Sequence, residues 1–445
     1  MNILFLIKFY LCNYIIYVIQ MQMKEAKRKK ITKEMKIVAK DEMIPERKLR
    51  QLIAKGHVVI TKNLVRKNVH PIGIGSKLFT KINTNVGTSA DLCNVELEIE
   101  KAKIAVKFGS NTIMDLSVAG YLDGIRKRII DSVNVPVGTV PIYQAAMDSI
   151  KKSGSIVDMN EDDIFKVIER HLKDGVDFIT VHCGVTKKIV DRLEKHPRKM
   201  GIVSRGGCFL AAWIKHNKEE NPLYKDFKTL LEIAKEYDAC LSLGDGLRPG
   251  CLEDANDWYQ NQELFTIGKL VSIARKMNVQ TIVEGPGHMP LDQIASNVKL
   301  QKRICKGAPY YVLGPLVTDI GCPYDHLVGA IGGTLAGLAG ADFLCVVTPS
   351  EHLGLPMVED VKEGVIASKL AAHSADIVKL GKKARKKDED ISSARAMLKW
   401  NEQFKNCIDP DKAEKIYRRI PTKSNACTMC GENCALLLMR EYLKK

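Results

Sequence analysis

From about residue 110 onward the chain repeats one cadence, and that cadence restricts its fold more than any other feature. A short apolar run is followed by glycine-rich or polar punctuation and then by an amphipathic helical stretch. The runs are Ile113–Ser117, Val137–Ile142, Phe178–Gly184, Gly201–Gly207, Cys240–Gly246, Thr281–Gly287, Tyr311–Leu316 and Phe343–Pro349, eight in all. The stretches between them carry a helical period; Phe227, Leu230, Leu231 and Ala234 fall on one face. Buried strands alternating with helices make a parallel sheet, and eight such units close a barrel. An open doubly wound sheet is the alternative, but it would show a glycine-rich phosphate turn after its first strand, and none is found. The expected fold is therefore an α/β chain with a (β/α)8 barrel over residues 111–380. Residues 24–110 are assigned to an N-terminal α/β cap, and 381–445 to a C-terminal helical segment ending in a cysteine-rich tail. Beyond the eighth run a helix is expected near Glu359–Lys379, then a lysine-rich linker, then a helix near Ser393–Lys405.

Residues 1–23 begin with a strongly apolar extension interrupted by Lys8 and Asn13. It lacks a small-residue cleavage site and falls short of a comfortable membrane span, so a misassigned start is favoured over an anchor. The net charge of +16 is of the size a nucleic-acid binder carries, but much of it lies in two runs, Lys24–Lys36 and Lys382–Lys387. Neither run interleaves aromatics for base stacking, which makes them solvated surface rather than a nucleic-acid site. The 13 cysteines are too sparse for a disulfide scaffold, so a reducing cytoplasm is the expected compartment.

Catalytic groups of such a barrel stand at the carboxyl ends of its strands. Those ends carry Asp115, Tyr143, His182, Ser204-Arg205-Gly206, Asp245 with Arg248, Glu284 with His288, Asp319, and Glu351 with His352. One such residue could be a cap, but an unbroken succession describes a polar site facing a charged small molecule. Ser204-Arg205-Gly206-Gly207 joins a guanidinium to a turn whose backbone donors can cradle an anion. Asp245-Gly246-Leu247-Arg248 sets an acid and a base on one tight turn. For His288 and His352, spacing fits a divalent-metal pair and a hydrogen-bonded pair equally.

The sharpest feature is Cys427-Thr-Met-Cys430-Gly-Glu-Asn-Cys434. Three thiolates and no later fourth ligand suit a four-iron cluster with one iron free to bind S-adenosylmethionine. A zinc knuckle completed by Cys407 or a distant histidine is the alternative.

Seven segments resemble the phosphomethylpyrimidine synthase family: Lys81–Ser89, Met114–Ser117, Val137–Gln144, Ser204–Gly207, Leu243–Gly250, Glu284–His288 and Glu351–Pro356. The resemblance runs from about Lys24 through the tail. It implies a homodimeric barrel and a carbon–carbon lyase that converts 5-aminoimidazole ribotide to 4-amino-5-hydroxymethyl-2-methylpyrimidine phosphate in thiamine biosynthesis. S-adenosylmethionine would be the radical source, and a flavodoxin or ferredoxin the electron donor. Carried over motif by motif, the ribotide would contact Asn85, Met114, Tyr143, His182, Ser204, Arg205, Gly206, Asp245, Gly246, Leu247, Arg248, Glu284 and Tyr311, with Glu284 also catalytic. Zinc or another divalent metal would sit on His288 and His352, and a 4Fe-4S cluster on the catalytic Cys427, Cys430 and Cys434.

Three departures stand out. Three residues rather than four separate Cys430 from Cys434, Val118-Ala119 replaces Thr-Gly, and Gly321-Cys322-Pro323 replaces Ala-Pro-Gly. A paralogous activity, 5-hydroxybenzimidazole synthase, shares the substrate set. A non-catalytic zinc-binding regulatory barrel is the alternative from another class.

Overall fold

The structure is a computed structural model, and it describes residues 21–443; the apolar extension lies almost wholly outside them. Ten strands are described. The first two, β1 (Val58–Thr61) and β2 (Ile72–Gly75), form an antiparallel pair. The other eight are β3 (Lys81–Val86), β4 (Thr112–Asp115), β5 (Val137–Thr139), β6 (Phe178–Val181), β7 (Cys240–Leu243), β8 (Thr281–Glu284), β9 (Tyr310–Leu313) and β10 (Phe343–Cys345). They close an all-parallel barrel in sequence order, with β10 pairing back onto β3. The (β/α)8 barrel expected from the cadence is present.

Two strand assignments change. Gly201–Gly207 is not a strand: its first residues are a loop, and Ser204 N-caps the helix Arg205–Asn217, its hydroxyl accepting from the Gly207 amide at 3.3 Å. The position it was given belongs to β3, which lies inside the segment assigned to the cap, so the barrel opens at Lys81 rather than at residue 111. The run Lys81-Ile-Asn-Thr-Asn-Val looks too polar for a buried strand because Asn83 and Asn85 point into the barrel and meet polar partners there. Asn83 donates to the Tyr311 hydroxyl at 2.8 Å and to Asn85 Oδ1 at 2.9 Å. The lysine-rich stretch after Leu380 is likewise a helix, Lys382–Ala396, rather than a linker.

Side chains fill the barrel. Phe178, Tyr311 and Phe343 stack through its interior, with ring centroids 6.4 Å apart for Phe178–Phe343 and 4.3 Å for Tyr311–Phe343. Gly138 makes room for them, since a Cβ there would stand 2.4 Å from the Phe178 ring. The interior is a packed core, and the cleft lies at its carboxyl end.

The other end is closed by the N-terminal unit, in which β1, β2 and three helices share a small core of Met35, Val38, Leu49, Ile53, Ile60 and Leu78. Its joints are polar groups just ahead of the barrel strands. Asp177, fully buried before β6, accepts from the backbone amides of Asn63 and Val137 at 2.9 and 2.8 Å and pairs with Arg66. The Gln280 amide, before β8, brackets Ile60 with bonds of 2.8 and 3.1 Å. Among the described residues, no helix is long and apolar enough to cross a membrane.

Candidate active site

At the carboxyl end of the barrel lies a cleft of about 100 Å³. Eight residues expected there line it: Asn85 from β3, Met114 from β4, Tyr143, His182 just past β6, Asp245 and Arg248 past β7, Glu284 at the tip of β8, and Tyr311 of β9. Tyr143 arrives on the first turn of the helix Pro141–Ser153, whose Pro141 supplies the fixed φ that a helix start accepts.

Glu284 is the electrostatic centre. Its Oε1 accepts from Ser242 Oγ at 2.6 Å and from Thr180 Oγ1 at 2.8 Å. Burial, and then the charge of Asp245, push its carboxyl up to about 8, so at neutral pH it holds its proton. Burial also raises Asp245, against the pull of Arg248, whose Nη1 donates to Asp245 Oδ1 at 3.1 Å. The His182 imidazole is depressed to about 3 by burial, with Arg248 adding to the effect, and is therefore neutral. Desolvation raises both the Tyr143 and Tyr311 phenols. The cleft thus presents neutral donors and acceptors together with the Arg248 guanidinium, a set suited to a polar, anionic ligand.

Four expected residues act from behind the lining, and one stands apart. The Ser204 hydroxyl lies 3.1 Å from His182 Nε2 and sets the ring's orientation. Gly206 is needed for that approach, because a Cβ there would stand 2.3 Å from the imidazole. Arg205 lies over the Tyr143 ring, 5.1 Å from its centroid. Gly246 packs against Val185 and Glu263 with no space for a side chain. Leu247 is a core residue, fully buried among apolar neighbours, and its backbone amide donates to Glu263 Oε2 at 2.8 Å rather than into the cleft.

Thr180, Ser242 and Cys345 also bear on the site, though none stood among the expected residues. Thr180 and Cys345 line the cleft, and Cys345 accepts from Asn85 Nδ2 at 3.4 Å. Inward alternation along β6, β7 and β10 was the available signal, masked because all three read as members of apolar runs.

Beside the cleft, His288 and His352 face one another, their Nε2 atoms 3.3 Å apart. Each outer nitrogen is held by a carboxylate: His288 Nδ1 by Asp319 at 2.7 Å, and His352 Nδ1 by Asp325 at 3.1 Å. His352 sits at φ +64°, an uncommon conformation for this residue that turns its ring toward His288.

The tail lies elsewhere on the C-terminal helices. Trp400 Nε1 donates to the Asn425 carbonyl at 2.9 Å, and Arg440 reaches the Ala396 carbonyl. Cys430 is exposed, Cys427 half-buried and Cys434 buried. Gly431 turns the loop at φ +55°, and its amide bonds the Cys427 carbonyl at 3.0 Å.

The model of the radical SAM ThiC family matches residues 21–441. The chain belongs to that family. Phosphomethylpyrimidine synthase of Pyrococcus furiosus is 57% identical over 95% of this chain and 98% of its own length. That of Methanocaldococcus jannaschii is 56% identical over 95% and 100%, and that of Caldanaerobacter subterraneus 57% over 93% and 96%.

Membership in the radical SAM ThiC family makes the protein an enzyme and implies an iron–sulfur cluster and S-adenosylmethionine. The donor chemistry of the tail fits a cluster: three thiols lie within eight residues on a glycine-turned loop, and the family match extends across them. Their arrangement is looser than a finished ligand set, since no three His, Cys, Asp or Glu among the described residues converge on a metal position.

Proposed function

We propose that this chain is the phosphomethylpyrimidine synthase of thiamine biosynthesis and that it converts 5-aminoimidazole ribotide to 4-amino-5-hydroxymethyl-2-methylpyrimidine phosphate. The observation that carries the reading is the cleft, where eight residues expected to meet the ribotide share one lining. Three curated relatives bearing that enzyme's name align over nearly their whole length.

Arg205 and Arg248, with the backbone amides of the helix beginning at Arg205, would receive the phosphate. Asn85 and the neutral His182 would orient the ribose hydroxyls and ring nitrogens. Glu284, protonated at neutral pH, would give and recover a proton at the imidazole as it is rebuilt. Cys427, Cys430 and Cys434 would hold the cluster, which supplies the electron for reductive cleavage of S-adenosylmethionine. His288 and His352 would hold zinc or a similar divalent ion. Their Nε2 atoms face one another at 3.3 Å, and both rings have the carboxylate partner usual for a metal-bound imidazole.

The test is anaerobic reconstitution with iron and sulfide, addition of reductant, S-adenosylmethionine and the ribotide, and mass spectrometry of the products. The phosphorylated pyrimidine is expected. Hydroxybenzimidazole, or intact ribotide in the presence of a loaded cluster, would overturn the assignment.

A further inference from the structure

Behind the Asp245–Arg248 turn lies a second, tight cavity of about 20 Å³, bounded by Asp245, Arg248, Gln260, Glu263, Glu284 and Tyr310. Glu263, on the inward face of the helix Trp258–Lys276, is 3% exposed and belongs to none of the motifs considered above. Its Oε2 accepts from the Leu247 amide at 2.8 Å, and its Oε1 is buried without any partner. The backbone is cut away around it. A Cβ on Gly184 would stand 2.6 Å from Glu263 Cγ, and one on Gly246 would stand 3.1 Å from Oε1. A helix that needed only packing here would carry leucine, since a buried carboxyl oxygen without a partner loses its hydration uncompensated.

We propose that Glu263 is a positioning residue of the active site: one oxygen clamps the Asp245–Arg248 turn from behind, and the other faces the cavity shared with Asp245 and Glu284 and sets which of that pair carries the proton. This rests on the proposed reaction at the same cleft.

Several groups face it from neighbouring elements. Asp245 and Arg198 act on it across the turn, Cys183 lies just past β6, Tyr310 is on β9, and Glu284 stands across the cavity. Cys183 and Tyr310 are both raised by burial and stay protonated at neutral pH. Burial raises Glu263 itself well above the ordinary carboxylate range. Arg248, bonded to Asp245, balances the charge that the Asp245–Glu284 pair holds.

Glu263→Gln keeps the acceptor for the Leu247 amide but cannot titrate, whereas Glu263→Asp keeps the acid and withdraws it from the turn. Ribotide binding is measured by calorimetry across pH on the full-length protein, and kcat across pH on the reconstituted enzyme. For Glu263→Gln, thermal stability and neutral-pH affinity are expected to stay near wild type. The midpoints of the kcat profile and of the affinity profile should shift by about one unit, with kcat reduced roughly tenfold. For Glu263→Asp, KM should rise while the wild-type pH midpoints return. Wild-type pH midpoints in Glu263→Gln would overturn the proposal, because a purely structural clamp moves none of them. Should Glu263→Gln not fold, infrared difference spectra of the wild type upon ribotide binding decide. A perturbed protonated-carboxyl band that survives in Glu284→Gln supports Glu263, and loss of every such band in that variant overturns it. If the wild-type protein does not bind the ribotide at all, the functional assignment fails instead.

Discussion

At the scale of single residues the site works by withholding charge. Glu284 keeps a proton that the unfolded chain would release, because burial and Asp245 raise its carboxyl from 4.5 to about 8. Between those values the folded protein binds more protons than the unfolded one, so its stability falls as pH rises through that window and levels off above it. Glu284→Gln removes this titration. Its thermal midpoint should therefore gain on the wild type as pH increases from about 4.5 to about 8, and urea or thermal melts across that range check the sign. The same variant keeps an acceptor for Thr180 and Ser242 but cannot pass a proton, so kcat is expected to fall by roughly two orders of magnitude while ribotide affinity changes little. A variant that loses affinity and rate together would assign Glu284 to binding alone.

At the scale of elements, the site depends on how closely a helix start can approach a turn. Gly207 begins the helix Arg205–Asn217 against the Asp245 turn, and a Cβ there would stand 2.4 Å from the Gly246 carbonyl oxygen. Backbone cannot rotate aside as a side chain can. Gly207→Ala should thus cost about 1–3 kcal/mol, measured by chemical denaturation, and displace Arg205 and Ser204 enough to raise KM severalfold. An alanine variant with wild-type stability and KM would show the contact to be slack. This scale also shows where sequence reading reaches its limit. The barrel and seven of its eight strands were legible because parallel strands are buried on both faces and read as apolar runs. That rule fails where a strand's inward residues serve a site, as with Asn83 and Asn85 of β3. It fails in the other direction at Gly201–Gly207, an apolar loop whose Ser204 cap and following Cys208-Phe-Leu-Ala-Ala-Trp run carry the helical signal. The two errors offset one another, leaving the strand count right and the boundary wrong. Polar residues at strand ends found the cleft, because glycine and proline expose such positions in sequence. Thr180, Ser242 and Glu263 stayed hidden because their partners are distant in the chain.

At the scale of the molecule, the chain separates stability from chemistry along the barrel axis. The N-terminal unit is bolted to one end through Asp177, whose carboxylate is fully buried with Arg66 and two backbone amides. The cleft occupies the other end, and the cysteine tail bonds to the C-terminal helices through Trp400 and Arg440. Perturbing either extremity should therefore produce opposite phenotypes. Asp177→Ala leaves the Arg66 guanidinium buried without its counter-ion, a loss of about 3–5 kcal/mol, and should lower the melting temperature steeply while the reconstituted tail still takes up iron. Cys430→Ala removes one of three thiols from an exposed loop. It should abolish the brown chromophore and S-adenosylmethionine cleavage while leaving the melting temperature and ribotide binding where they were. Iron content, visible absorbance and thermal melts on the two variants read both halves of the comparison. A tail variant that lowered the melting temperature as far as Asp177→Ala would mean that the tail braces the barrel, and the division of labour would not hold. If Cys430→Ala instead kept its iron and its radical chemistry, the three-thiol assignment would fall, because a set of two thiols leaves the cluster too few protein ligands to stay bound.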